Sequence, residues 1–296
     1  MAAIRTENLT KNFRQIRAVQ GLDLTVDTGE VFGYLGPNGA GKTTTIRLLL
    51  DFLRPTAGTA TVLGGAPADP AVRRRIGFLP ADLSVDPRYT TRDLLDFYGA
   101  LRGGHDPAWV DALLQRFDLD PNRRFGELST GNRRKLGLIQ AFAHRPELLL
   151  LDEPTSGLDP LLQAEFARLI REMTSFGATI FLSSHVLPEV EELAGRVGIL
   201  RQGELIKMAT VEDLRAEARA RLELRLAEPA LEGVFDGVPG VVEARTEGST
   251  IHLVVEGSMD PVIKRAATLP VVRLITHEAD LEEVFLSYYA GDGNAR

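Results

Sequence analysis

The sequence has no cysteine, no long apolar run and no apolar leader segment. Without cysteine there is no disulfide framework, no thiolate-bound zinc or iron–sulfur centre, and no cysteine nucleophile. No apolar run approaches the ~20 residues that a membrane-spanning helix needs, and the first ten residues do not look like a secretory signal. We therefore expect a soluble cytoplasmic protein that reaches a membrane only through a partner.

The sequence also has no excess of basic residues. The 34 Lys and Arg residues stand against 41 Asp and Glu residues, which gives a net charge of −7. A nucleic-acid partner is therefore not expected. The basic runs at 73–75 and 133–135 are expected to be solvated or paired with acidic residues. The 296 residues are enough for one large domain and a smaller one.

Short apolar runs alternate with helical patterns in the first two thirds of the chain. Val31–Leu35, Leu148–Asp152 and 179–183 have the composition of buried strands, and 43–53 has apolar residues at helical spacing. This alternation indicates an α/β fold with a parallel sheet. The mostly helical stretch at about 82–143 is expected to be an inserted helical subdomain.

The pattern changes after about residue 214, where short alternating strands become frequent. The order βαββαβα is typical of a small α+β ferredoxin-like sandwich. We therefore predict two domains, 1–214 and 215–296. The predicted strands of the second lie near 222–226, 241–246, 250–255 and 271–276, and its helices near 229–236, 260–268 and 279–289.

The strongest motif is GPNGAGKT at 36–43, which matches G-x-x-x-x-G-K-[ST] between a predicted strand and a predicted helix. Backbone N–H groups of such a P-loop surround phosphate oxygens at a helix N-terminus. Lys42 would reach the terminal phosphates of ATP, and the Thr43 hydroxyl would ligate Mg²⁺. The alternative is a glycine-rich turn with an exposed lysine. The predicted nucleotide-binding residues of the loop are Gly36, Pro37, Asn38, Gly39, Ala40, Gly41, Lys42, Thr43 and Thr44.

Two acidic residues follow the apolar strand at 148–151. Ligand sites of α/β folds lie at the carboxyl ends of the strands. Asp152 suits the Mg²⁺ shell, and Glu153 suits a catalytic role in positioning or deprotonating an attacking water. The alternative is a strand that ends at the surface in solvated acids.

Three further segments resemble motifs of the ABC transporter ATPases. LSTGN at 128–132 resembles their signature, LDEPTSGLDP at 151–160 resembles their Walker B strand and D-loop, and SSH at 183–185 resembles their H-loop. The resemblance covers roughly 1–214, which it identifies as an ABC cassette. It is closest to the branch that serves ABC-2-type exporters of drugs and antibiotics, whose C-terminal extension ends in a run like LEEVF at 281–285.

The resemblance implies that two cassettes pair head to tail, with ATP between the P-loop of one and the signature of the other. Ser129 and the Gly131 backbone would form a second anion site at the start of the next helix. Each chain would then supply two half-sites, which a symmetric dimer completes. The signature residues expected to act across the dimer are Ser129, Thr130, Gly131 and Asn132.

The resemblance also implies roles for three single residues. His185 is expected to contact the γ-phosphate during catalysis; the alternative is a strand-end histidine that caps the following helix. Asp159 resembles the D-loop aspartate that crosses the dimer interface; the alternative is a turn residue. Phe13 occupies the position where an aromatic ring stacks on adenine; the alternative is a strand-end aromatic of the core.

The sequence departs from the family pattern at three positions. Ala81 stands where the family has the glutamine of its Q-loop, and a methyl group cannot ligate Mg²⁺ or contact water. Asp82 is the candidate substitute. In the signature, Thr130 and Asn132 replace the usual glycine and glutamine. Ser129 and Gly131, the two residues that would face the phosphate, are kept.

Taken with the resemblance, the sequence predicts an ATP-hydrolysing subunit that uses ATP and Mg²⁺. Its expected partners are separate integral membrane permease subunits and a second cassette, an identical copy being the simplest case. Docked to the permease, it would lie at the inner face of the cell membrane. Two alternatives remain: an ABC protein acting on ribosomes or DNA, and a nucleotide-gated switch that barely hydrolyses ATP, which only Ala81 favours.

Overall fold

The computed structural model describes residues 1–217 and 219–277, together with residues 285 and 288. The chain divides into two compact units, residues 1–208 and residues 209–296. The boundary expected at 214 is a few residues further along and stays a prediction. None of the helices in the described part of the chain has the length and apolar character that crossing a membrane requires.

The first unit contains two sheets and the helices that connect their strands. In chain order they are β1 (Ala2–Phe13), β2 (Ile16–Asp27), β3 (Val31–Leu35), α1 (Lys42–Leu49), β4 (Ala57–Val62), α2 (Pro70–Arg74), β5 (Ile76–Leu79), α3 (Thr91–Arg102), α4 (Pro107–Arg116), α5 (Thr130–Phe142), β6 (Leu148–Asp152), α6 (Pro160–Ser175), β7 (Thr179–Ser184), α7 (Leu187–Leu193), β8 (Arg196–Arg201) and β9 (Glu204–Thr210).

A six-stranded sheet in the order β5-β6-β7-β3-β8-β9 forms the centre of this unit, as the alternation of strands and helices predicts. The pairs β5–β6, β6–β7, β7–β3 and β3–β8 are parallel. The four leucines of β6 are fully buried, because helices cover both faces of a parallel sheet. A second, antiparallel sheet has the order β2-β1-β4.

Strand register brings the ends of three strands together. Asp152 at the end of β6 is paired with Ser183 of β7, and Leu35 at the end of β3 is paired with Ser184 of β7. The segment that leaves β3 therefore begins beside the last residues of β6 and β7. Ligand sites of open α/β sheets occur at such an edge.

The helical stretch consists of α3, α4 and α5, which confirms the helical pattern of the sequence. Thr90 caps α3 with a reciprocal capping box that involves Asp93. Trp109 of α4 is buried, and its indole N–H donates to the Phe142 carbonyl at 3.1 Å. The limits of the helical subdomain, about 82–143, stay a prediction.

In the second unit, the described residues form an antiparallel sheet in the order β11-β12-β10-β13. Buried leucines of β10 alternate with charged residues, which gives the sheet one apolar face and one open face. The helix α9 covers the apolar face through Val262 and Ala266. The elements are α8 (Val211–Glu217), β10 (Ala220–Leu226), β11 (Val241–Glu247), β12 (Thr250–Val255), α9 (Asp260–Ala266) and β13 (Val271–His277).

Two helices differ from the sequence-based expectation. The helix expected at 43–53 ends at Leu49, because Asp51 adopts a left-handed conformation with φ 56°. The helix expected at 229–236 is wrong: this stretch forms turns, in which Gly233 has a φ of 76°. A left-handed residue in the middle of the stretch is incompatible with an α-helix. The last expected helix, 279–289, lies outside the described residues apart from 285 and 288.

Candidate functional site

The P-loop joins β3 to α1 and requires glycine where the backbone turns. Gly41, the N-cap of α1, has a φ of 112°, and a β-carbon there would lie 2.3 Å from the Ala18 carbonyl oxygen. A β-carbon at Gly36 would lie 2.6 Å from the Leu200 carbonyl oxygen. Both positions therefore exclude a side chain, and the backbone N–H groups at the start of α1 stay accessible to an anion.

Lys42 is buried at this helix start, with 5% of its surface exposed. Its ammonium group donates to the Gly36 and Pro37 carbonyls at 2.5 and 3.2 Å. The same group lies 3.1 Å from the Glu153 carboxylate. The loop and the end of β6 are thus joined by a buried positive charge, and the exposed lysine of the alternative interpretation is not what the structure has.

Asp152 lies between two hydroxyl groups. Thr43 donates from Oγ1 to Oδ2 of Asp152 at 2.7 Å, and Ser183 donates from Oγ to Oδ1 at 2.7 Å. The carboxylate is 1% exposed, so it is not a solvated strand end. The described residues contain no cluster of three or more His, Cys, Asp or Glu residues that could hold a metal. A hydroxyl and one carboxylate suit Mg²⁺, which takes its remaining oxygens from phosphate and water.

Glu153 follows in a left-handed backbone conformation with φ 51°. Its amide nitrogen donates to the Ser183 carbonyl at 3.1 Å and lies 3.2 Å from the Ser183 hydroxyl. The carboxylate contacts Lys42 through one oxygen and His185 Nδ1 through the other, the latter at 2.8 Å. His185 therefore lies against the acid, and α7 begins without a side-chain cap from it.

A cavity of about 520 Å³ opens over these groups. Part of its wall comes from the β1–β2 hairpin and from Gln202, neither of which carries a recognisable motif. No sequence pattern predicted that these residues line the site. The lining residues are Ile16, Arg17, Ala18, Asn38, Gly39, Gly41, Lys42, Thr43, Thr44, Ala81, Glu153 and Gln202.

Phe13 lies beyond this lining, at the tip of the same hairpin. Its ring is 42% exposed, so it is not a core aromatic, and the Lys11 ammonium lies 5.1 Å from the ring centroid. The partner of Phe13 across the hairpin is Ile16, which does line the cavity. An adenine that contacted Ile16 would therefore lie near Phe13.

The signature residues lie at the start of α5 and outside the cavity over the P-loop. Ser129 is the N-cap, whose hydroxyl accepts from the Asn132 amide at 3.2 Å. Thr130 lines a second cavity, of about 230 Å³, together with Asp82, Ser156 and Gly157. Of the predicted signature residues, Thr130 therefore lines a cavity other than the one over the P-loop.

The D-loop residue Asp159 is exposed and caps α6, because its carboxylate accepts from the Leu162 amide at 3.0 Å. The next residues, Pro160 and Leu161, are also exposed, and Leu161 has 82% of its surface accessible. The turn is therefore held by a helix cap and presents an apolar side chain to solvent.

Known proteins that resemble this chain share the segments that form this site. The family model described as "ABC transporter" matches residues 19–156, which include the P-loop, the signature and Glu153. The bacitracin transport ATP-binding protein BcrA of Bacillus licheniformis is 36% identical over 230 residues, which are 76% of this chain and 75% of that protein. The chain belongs to the ABC transporter ATP-binding proteins.

Other relatives extend over different lengths of the chain. The daunorubicin resistance ATP-binding protein DrrA3 of Streptomyces coeruleorubidus is 39% identical over 76% of this chain and 74% of its own. The Nod factor export ATP-binding protein I of Paraburkholderia xenovorans is 34% identical over 96% of both chains. As a member of this family the chain is an ATP-binding and ATP-hydrolysing subunit of an ABC transporter. Such subunits work with membrane permeases and dimerise.

Solved structures give the same fold. The ATP-binding subunit of an ABC transporter superposes with a TM-score of 0.67 at 27% identity, over 72% of this chain and 92% of that one. A dimeric cassette bound to ADP and Pi superposes with a TM-score of 0.65 at 21% identity, over 70% of this chain and 98% of that one. The cassette fold predicted from the sequence is confirmed.

Proposed function

We propose that this ABC ATPase powers the export of a drug, an antibiotic or another hydrophobic compound through a separate integral membrane permease. The relatives whose names refer to bacitracin and daunorubicin support this substrate class. The observation that carries the ATPase part is the contact of Lys42 with Glu153 beside Asp152, at the start of the P-loop helix. Docked to its permease, the protein would lie at the cytoplasmic face of the membrane.

Within the site we propose that the P-loop holds the phosphates of ATP, with Lys42 at the terminal ones. Thr43 and Asp152 would hold Mg²⁺, which supplies charge neutralisation at the phosphates when it is bound. Glu153 would position the attacking water and accept its proton. His185, which contacts the Glu153 carboxylate, would contact the γ-phosphate during catalysis. Phe13 would stack on the adenine from the hairpin.

We further propose that two copies pair head to tail. The separation of the signature from the P-loop cavity supports this arrangement, because a phosphate site at Ser129 is then completed by another chain. Thr130, Gly131 and Asn132 would contact the nucleotide of the partner, and the exposed Asp159 would face the interface. A symmetric pair satisfies both half-sites at once.

For the second domain, 215–296, we propose a ferredoxin-like fold with a regulatory or dimer-stabilising role. The sheet order supports the fold, since the second, third, first and fourth strands lie side by side. The first of its two crossovers contains turns in place of a helix. Its open face, with Glu223 opposite His252, could pair with the same face of another copy. Packing within the domain is the alternative role for the last segment.

Export can be tested by expressing the chain with its permease in a drug-sensitive bacterium and measuring growth in bacitracin, daunorubicin and a panel of other antibiotics. We expect resistance to at least one compound, and Lys42→Ala should abolish it. Lys264→Ala is the matched control, because Lys264 is exposed on α9 and pairs with Asp260. Equal resistance with wild type and Lys42→Ala would show that ATP hydrolysis by this chain does not power it.

A further inference from the structure

Arg134 makes four hydrogen bonds, all with backbone carbonyl groups, at the centre of the first unit. Its Nη1 donates to Pro80 and Ala81 at 2.6 and 3.0 Å. Its Nη2 donates to Asp152 at 2.7 Å and also to Glu153. One guanidinium therefore connects the segment after β5 with the last residues of β6.

The basic run at 133–135 was expected to be solvated or paired with acids, and Arg134 is neither solvated nor hydrogen-bonded to a carboxylate. It is 8% exposed. Burial lowers the pKa of its guanidinium, while the charges of Asp152, Asp82 and Glu153 act in the opposite direction. A buried arginine stays charged, and taking this charge out of water is costly unless the donors are satisfied. Nη1 and Nη2 are satisfied by the four carbonyl groups, whereas Nε is buried and has no hydrogen-bond partner among the described residues. A buried guanidinium does not contribute to solubility, so Arg134 must have another role.

The geometry of Glu153 shows what these contacts can control. Glu153 has a left-handed backbone, with φ 51°, which a residue with a β-carbon adopts only where its surroundings hold it. Arg134 binds the carbonyl of Glu153 itself and the carbonyl of the preceding residue, Asp152. The peptide units on both sides of the Glu153 α-carbon are thereby fixed, and they determine where its carboxylate points.

Arg134 lies on α5, the helix that begins with the predicted signature residues. The helix begins at Thr130, directly after the N-cap Ser129. The guanidinium is thus carried by the helix whose first residues form the signature. A shift of this helix would move the contacts with Glu153 in the same chain.

We propose that Arg134 is a positioning residue for hydrolysis, which holds the backbone of Glu153 so that its carboxylate faces the terminal phosphate site. It also joins that backbone to the Pro80–Ala81 segment, where this chain lacks the side chain of a glutamine. The inference rests on the proposed role of Glu153 in hydrolysis. It assigns no contact with ATP to Arg134.

Arg134→Lys tests the proposal, because lysine keeps the charge but has one nitrogen in place of the two that bind the two carbonyl pairs. We expect kcat to fall by about 10- to 100-fold, since a small misplacement of a catalytic group has effects of that size. The KM and the dissociation constant for ATP should stay close to wild type.

Arg116→Lys is the matched control. Arg116 also uses its guanidinium to join two elements, through bonds of 2.6 Å to Glu165 and Glu172, but it lies on α4 away from the P-loop. Both variants should lose thermal stability, and only Arg134→Lys should lose kcat. Equal and unchanged kcat values in the two folded variants would overturn the proposal and leave Arg134 a structural residue.

Chemical rescue separates positioning from stability. Arg134→Ala would open space beside the cavity of about 230 Å³ that Arg134 lines. Millimolar guanidinium should restore part of the hydrolysis rate of this variant, whereas methylammonium at the same concentration should not. A rate that neither cation raises, in a folded variant that binds ATP normally, would contradict the proposal.

A double variant distinguishes failure of this inference from failure of the proposed role of Glu153. If Arg134 acts through Glu153, Arg134→Lys should slow single-turnover hydrolysis much less in the Glu153→Gln background than in wild type. A full, independent loss in that background would overturn the positioning role while leaving Glu153 catalytic. Near-wild-type hydrolysis by Glu153→Gln alone would instead refute the role of Glu153.

Discussion

The two units bury different kinds of side chain. The first buries charged and hydroxyl-bearing groups, among them Lys42, Asp152 and Ser183, at the carboxyl ends of parallel strands. In the second, the described residues that are buried are apolar, and none of its described charged residues is buried. Buried charge is costly unless it is paired, so its presence in the first unit marks the place where binding and chemistry have determined the sequence.

Among the substitutions considered, Glu153→Gln in the first unit should reduce activity most. Turnover should fall by about 10²- to 10⁴-fold, because an amide cannot accept the proton of the attacking water, while ATP binding is kept. Single-turnover hydrolysis and size-exclusion chromatography in ATP would measure this, with a dimer expected in the variant.

Glu228→Gln is the matched substitution in the second unit, at an exposed residue after β10. It should leave turnover at the wild-type value. Near-wild-type turnover in both variants would remove Glu153 from the mechanism. Very low turnover in the wild type itself would favour the nucleotide-gated switch, for which Ala81 is the supporting feature.

Lys42→Ala should have the next largest effect. ATP affinity should fall by about 100-fold, since a buried charge-assisted contact contributes about 1.5–3 kcal/mol. Fluorescent-nucleotide titration would measure the affinity, and circular dichroism would show whether the variant is folded. Lys264→Ala, in the second unit, should bind ATP as wild type does. An unchanged dissociation constant in Lys42→Ala would contradict the P-loop assignment.

The sequence predicted the chemical part of the site better than its surroundings. The P-loop could be found because its glycine pattern dictates the shape of the loop backbone. The pair Asp152–Glu153 could be found because the apolar run before it marks the end of a buried strand. Arg134 could not, because only the packing of α5 against the ends of β5 and β6 buries its guanidinium. Ile16 and Gln202 line the cavity for a similar reason, since tertiary folding brings the β1–β2 hairpin and the β8–β9 turn to it.

In the second unit the strands were predictable and one helix was not. Apolar residues that alternate with other residues predicted β10 and β12, each of which has one buried face. The turn residues at 247–249 indicated the hairpin that adds β11, which contains no buried residue. The stretch at 229–236 has an apolar periodicity that favours a helix, and Phe235 is indeed buried in the core. The positive φ of Gly233 nevertheless makes it a series of turns. The apolar pattern therefore indicated the burial of Phe235 but not the backbone conformation, and Leu231 in the same stretch is 78% exposed.

Truncation after Leu214 tests whether the two units are functionally separate. The shortened chain should fold and bind ATP within about twofold of wild type, because distant, independent parts of a protein affect each other little. Its dimerisation in ATP, measured by sedimentation in the Glu153→Gln background, should be weaker if the second domain stabilises the dimer. Unchanged dimerisation would favour the alternative that this domain only packs internally. Loss of ATP binding in a soluble truncated chain would contradict the separation.

A smaller effect is expected in the segment after β5, where the neighbouring residues Ala81 and Asp82 differ in the cavities that they line. Ala81 lines both cavities, whereas Asp82 lines the one on the signature side and is exposed. Ala81→Gln should therefore alter the Mg²⁺ dependence of hydrolysis by about fivefold, the value of one neutral hydrogen bond of about 1 kcal/mol, without changing ATP affinity. Asp82→Ala should lower permease-stimulated hydrolysis by a similar factor if Asp82 replaces the missing glutamine. Stimulation that is the same in Asp82→Ala and wild type would show that Asp82 has not taken over those contacts.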